Sequence, residues 1–96
     1  MHSVNGEAMT NESARIIKRL CNHWGHKLTV RMDGADGVIE FPDAEVALRA
    51  LPDRISATIT SKEPASVARL PGVVATHLQR MAGPEAQLQV QWGEPG

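Results

Sequence analysis

Between residues 27 and 60, apolar side chains recur at every second position in four runs, each set off from the next by a glycine- or proline-bearing turn. Leu28, Val30 and Met32 alternate with Lys27, Thr29 and Arg31; Val38 to Phe41 repeats the pattern after Asp33-Gly34-Ala35-Asp36-Gly37. Pro42-Asp43 precedes Val46, Leu48 and Ala50, and Pro52-Asp53 precedes Ile55, Ala57 and Ile59. A two-residue period places alternate side chains on opposite faces of a strand, and connections this short join only antiparallel neighbours. Four strands in a meander with one buried face are therefore expected.

The flanks have a different period. Ala14, Ile17, Cys21 and Trp24, widened by Ile16 and Leu20, form the stripe of an amphipathic helix from Thr10 or Asn11 to about Gly25, with Arg15, Lys18, Arg19 and Asn22 opposite. Either Thr10 or Asn11 can accept a hydrogen bond from a free amide of the first turn. From Glu63 to Met81, the residues Val67, Leu70, Val74, Leu78 and Met81 fall on one helical face. Pro71-Gly72 interrupts that face, and an interior proline costs ~3 kcal/mol, so two helical pieces meeting near Leu70 are expected. Residues 3–9 alternate weakly as a first strand, and Leu88, Val90 and Trp92 alternate with Gln87, Gln89 and Gln91 as a last one. The order β-α-β-β-β-β-α-β, with two apolar helix stripes to cover, predicts a two-layer α+β sandwich: an antiparallel sheet with both helices on one face. The other face, with Gln87, Gln89, Gln91, Thr58 and Thr60, is expected to be polar and solvated. Ninety-six residues allow one domain, with an ordered core over about 3–92 and a polar tail at 93–96.

Composition narrows the function classes. Ten Lys and Arg against eleven Asp and Glu leave a charge of −1, too little to hold a nucleic-acid backbone by counterion release. With three aromatics the core must be aliphatic. A single cysteine forms no internal disulfide, which fits a reducing, cytoplasmic setting. No apolar run approaches the roughly 20 residues that span a bilayer, so neither membrane insertion nor export is expected. Phosphate-loop, nucleophile-elbow, paired-cysteine and calcium-loop patterns are lacking.

Reactive side chains concentrate in Cys21-Asn22-His23-Trp24-Gly25-His26-Lys27. Leu20-Cys21-Asn22-His23-Trp24-Gly25-His26-Lys27 resembles the Leu-Cys-x-His-Trp-x-His-Lys signature of a bacterial family known as domain of unknown function 2218. Ala68-Arg69-Leu70, Val73-Val74-Ala75, His77-Leu78, Arg80 and Ala82 are similar to that family's second helix, and Leu88 to Trp92 to its closing strand. Pro71-Gly72 and Met81 depart from the pattern. The resemblance implies a small bacterial accessory or binding module of unestablished function. Its similarity to the extra domain of some siderophore-interacting flavin reductases implies a link to iron handling.

His23, His26, His77 and Lys27 are the candidate ligand or metal residues. His23 and His26 lie about 60° apart around a helix and can face one ion, whereas Cys21 lies about 160° from His23, on the apolar stripe. His77 joins His23 if the two helices pack side by side, which makes these two the candidate metal pair. Cys21 reads as a small buried hydrophobe and Trp24 as core. Arg15, Lys18, Arg19 and Lys27 against Glu12 give residues 12–27 a charge of +3, either a solvated face or a docking patch for a small anionic ligand or an acidic protein. Two function classes follow: a non-enzymatic binding module in iron or siderophore metabolism, and a protein-interaction module that joins a partner or a second copy of itself. A metal-dependent enzyme, with His23 or His77 as acid or base, ranks third.

Overall fold

The computed structural model describes residues 1–94; residues 95 and 96 of the polar tail lie outside the described residues. Six strands, β1 (His2–Met9), β2 (Thr29–Asp33), β3 (Asp36–Phe41), β4 (Ala44–Ala50), β5 (Arg54–Ser61) and β6 (Val90–Trp92), form one sheet in the order β2-β3-β4-β5-β1-β6. All neighbours are antiparallel. Helices α1 (Ser13–Trp24) and α2 (Pro64–Ala82) lie side by side on one face, giving the expected α+β arrangement and element order. The meander occupies β2 to β5. The first strand then pairs along β5 and itself receives β6, an order that short-range periodicity does not encode.

The register aligns the buried side chains into rows. Val4, Ile59, Val46, Ile39 and Val30 stand opposite one another across five strands. A second row runs through Trp92, Gly6, Ala57, Leu48, Gly37 and Met32. Two of its glycines are spaces that other side chains fill. A Cβ on Gly6 would collide with the ring of Trp92, so the indole lies flat against the backbone of β1. At Gly37 a Cβ would stand 2.6 Å from Cys21 Sγ, so the thiol of α1 occupies that space. Ile16, Ile17, Leu20, Leu70, Val74 and Leu78 from the helices complete an aliphatic layer whose members are almost wholly excluded from water. Each such side chain contributes about 1.5–3 kcal/mol by leaving solvent.

Three expectations are corrected. Helix α2 is continuous, with Pro71 inside it, and is not two pieces. The proline ring is half-buried and Gly72 exposed, while Val67, Leu70, Val74 and Leu78 anchor the helix on both sides of the break. Their burial outweighs one lost amide bond and a local clash. At the start of α1, Thr10 Oγ1 accepts from the Glu12 amide at 3.1 Å, but the helix begins at Ser13, after Glu12, later than either a Thr10 or an Asn11 cap requires. Ala14, expected on the stripe, is exposed, and Ser13 is buried, its hydroxyl shared between the carbonyls of Leu51 (2.9 Å) and Arg54 (2.7 Å). The last strand is shorter than expected. A 3₁₀ turn at Pro84–Ala86 and left-handed backbone at Gln87 delay pairing until Val90, although Leu88 still points into the core. On the opposite face, Gln87, Gln89 and Gln91 are exposed and Thr58 and Thr60 half-buried; Thr58 donates to Asn5 Oδ1 at 2.8 Å.

The amino end of α2 has no side-chain cap of its own and no acidic residue in its first turn. The β3–β4 turn supplies one from afar. Ser66 Oγ donates to Asp43 Oδ2, Arg69 Nη2 donates to the same oxygen at 3.3 Å, and Ser61 Oγ donates to the Asp43 carbonyl. Asp43 thus places negative charge at the positive end of the helix dipole. The Ser66 hydrogen bond, helped by the Arg69 charge, holds the Asp43 carboxyl below its ordinary value against a smaller opposing effect of desolvation.

Two outcomes follow. A carboxyl with a lowered folded pKa stabilises the fold above its unfolded value, roughly 4, and that contribution disappears as pH falls through the folded value. Asp43→Asn should therefore lower stability at neutral pH and flatten its loss on acidification, as read from urea midpoints between pH 7 and 3. Pro71→Ala restores an amide donor inside a helix that is already continuous and should stabilise the protein by about 1–2 kcal/mol in urea unfolding.

Candidate functional site

The carboxyl end of α1 is where the candidate residues gather. Trp24, the last residue of the helix, is 6% exposed and packs edge-on against Phe41 of β3 with ring centroids 5.2 Å apart. Its other neighbour is His77 of α2, at 4.8 Å. His23, one position earlier and exposed, brings its ring within 5.7 Å of His77. The result is a chain of rings, Phe41, Trp24, His77, His23, running from the core to solvent along the seam between the helices. Side-by-side packing of α1 and α2 thus brings together two histidines that are far apart in sequence.

His77 is oriented by its own helix. Its Nδ1 lies 2.7 Å from the Val73 carbonyl. A carbonyl only accepts, so Nδ1 carries the proton, and in the neutral ring Nε2 keeps its lone pair. This is the tautomer in which a histidine serves as an Nε2 ligand, with the backbone bond fixing the ring. A hydrogen-bonded half-buried imidazole thus lies beside an exposed one. Among the described residues, no group of three His, Cys, Asp or Glu is placed to hold a metal ion together.

The other candidates separate. His26 lies beyond the last turn, where the Lys27 and Leu28 amides both donate to the Trp24 carbonyl, and it lines an open groove with Cys21, Asn22, Gly25, Val30 and Met32. The structure groups His26 with Cys21 and Met32, and His23 with His77. Cys21 is buried beneath α1, and burial pushes its thiol above the ordinary value, which disfavours the thiolate nucleophile at neutral pH. Of the basic patch, Arg15 pairs with Glu12 on its own helix, and Arg19 donates to the Met81 carbonyl at 3.2 Å near the end of α2. Lys18 and Lys27 are exposed and have no ion pair among the described residues. Sequence periodicity also passes over Met32, whose role as a groove-lining sulfur depends on the Gly37 it faces across the β2–β3 pair.

With this arrangement in view, the comparisons are informative about kinship. Residues 5–93 match the family model described as "Uncharacterized protein conserved in bacteria (DUF2218)". The chain belongs to this family. It is also similar to the NMR structure of PA4090 from Pseudomonas aeruginosa, at 39% identity and a TM-score of 0.80, over 97% of this chain and 96% of that one. No curated protein matches it. The family relation carries the fold with it and leaves the chemistry to be argued from the residues. Among the described residues no helix is long and apolar enough to cross a membrane.

The state of His77 is open to direct measurement. Long-range ¹H–¹⁵N correlation spectra above the imidazole titration should show a protonated Nδ1 and an unprotonated Nε2 for His77, whereas a neutral imidazole free in water favours the Nε2–H form.

Proposed function

We propose that this family member is a non-enzymatic binding module that receives a transition-metal ion, free or within a small anionic complex, at the His23–His77 pair. The observation that carries the reading is the approach of the two rings to 5.7 Å with His77 Nδ1 engaged by Val73, which leaves Nε2 as an oriented donor. Imidazole suits zinc, copper, iron and nickel alike, so the ligand class is set by nitrogen donors and not by one metal. Two protein nitrogens leave most coordination positions for water or for a chelator carried with the ion. Exposed Lys18 and Lys27 add positive charge on the same helix and just beyond it, favourable for an anionic complex. Iron bound by a siderophore is one such complex, and it is the specific cargo we favour because of the resemblance to siderophore-associated modules.

A ligand that binds only the folded state raises its stability by RT ln(1 + [L]/Kd), about 2.7 kcal/mol at a hundredfold excess over Kd. Thermal unfolding with zinc chloride, ferric citrate and a ferric catecholate complex is therefore the test. At least one should raise Tm by several degrees, and His23→Ala and His77→Ala should each abolish the shift. If no shift occurs, or if it survives both substitutions, the reading fails.

A second reading draws on another observation. The sheet face away from the helices is not covered by another element and mixes short side chains, Ser3, Asn5, Ala47, Ser56 and Thr58, with the ion-paired Glu7–Arg54 and Arg31–Glu45. A polar, charged face of this kind fits a protein partner or a second copy of the chain, and that reading needs neither histidine.

A further inference from the structure

The groove on the other side of α1 holds a different set of donor atoms. Cys21 Sγ and Met32 Sδ both lie against Gly37: a Cβ there would stand 2.6 Å from the first and 3.2 Å from the second. The two sulfurs therefore flank one point, in space that exists because β3 carries glycine at that register position. His26 lines the same groove, from the turn that follows α1. Cys21 is 4% exposed and forms the floor, while Met32, 45% exposed on the edge strand, forms the wall. Thioether side chains have three rotatable bonds, so Met32 can swing over the thiol without moving the sheet. No carboxylate lines the groove.

Thiolate, thioether and imidazole are soft or borderline donors, and the lack of oxygen anions disfavours magnesium, calcium and manganese. A monovalent soft ion needs only two or three such ligands. We propose that this groove is a Cu(I) site formed by Cys21 Sγ, Met32 Sδ and one ring nitrogen of His26. Binding forms a sulfur–copper bond and releases the thiol proton to solvent, with no change of oxidation state. The site is independent of the His23–His77 reading and shares no residue with it.

The test is an anaerobic titration of the full reduced chain with Cu(I), in competition with bathocuproine disulfonate. One Cu(I) per chain is expected, with a thiolate-to-copper absorption band in the near ultraviolet. Met32→Leu and His26→Ala change partly or fully exposed side chains and should leave circular dichroism unchanged, yet each should weaken Cu(I) binding by roughly tenfold or more. Cys21→Ala should remove the absorption band. His23→Ala and His77→Ala should leave Cu(I) affinity unchanged, which separates this site from the other. Undiminished affinity in both Met32→Leu and His26→Ala would reduce the site to a single thiol and overturn the proposal. Copper that bridges two chains, or a wild-type chain that does not compete with the chelator, would overturn it as well.

Discussion

Both helices must bury their apolar stripes on a single face of the sheet, and the rest of the structure depends on that contact. The layer between them is almost purely aliphatic: Ile16, Ile17 and Leu20 from α1, Leu70, Val74 and Leu78 from α2, and Ile39, Val46, Leu48, Ile55 and Ile59 from the sheet. A chain with three aromatic residues has little else with which to exclude water. Because such packing tolerates few voids, the places where the layer needs room are met by glycine, with Trp92 lying on Gly6 and the Cys21 thiol filling the space at Gly37. The same contact keeps α2 continuous through Pro71, since anchors on both sides of the proline outweigh its local cost.

The helix seam is also where the chemistry collects. Packing α1 beside α2 puts His23 next to His77 and wedges Trp24 between His77 and Phe41. On its other side α1 leans over the β2–β3 hairpin, where Cys21, His26 and Met32 share a groove. The end of α1 thus lies between two clusters of side chains, His23 with His77 on one flank and Cys21 with His26 and Met32 on the other. Part of the basic charge on that helix has structural work: Arg15 answers Glu12, and Arg19 reaches a carbonyl at the end of α2. Lys18 and Lys27 face solvent with neither an ion pair nor a carbonyl partner among the described residues, and Arg19, though exposed, is tethered to α2.

Much of the candidate site was legible because the motif from Leu20 to Lys27 is contiguous. Its grouping was not. On a helical wheel His26 belongs with His23, but α1 ends at Trp24, and the following turn carries His26 into the groove with Cys21. By period Met32 is one more alternating strand residue, and its place in the groove follows from the Gly37 opposite it. Ala14 sits at the margin of the buried stripe and is exposed, whereas Ser13, at about 100° per residue, falls beneath Ile16 and Ile17; a buried hydroxyl there depends on two carbonyls from the far β4–β5 turn.

Local period and turn chemistry settle the element types, the meander and the buried face of each strand, because these follow from side chains a few residues apart. Strand order beyond the meander is different in kind. That β1 lies between β5 and β6, that Asp43 serves the first turn of α2, and that His23 meets His77 are all contacts between segments distant in the chain. They are decided by which packing buries the aliphatic layer most completely while pairing every inner strand, a property of the whole chain at once. The sequence by itself thus determined a helix-covered antiparallel sheet and a histidine-bearing motif, and the tertiary structure alone decided which of these side chains lie together.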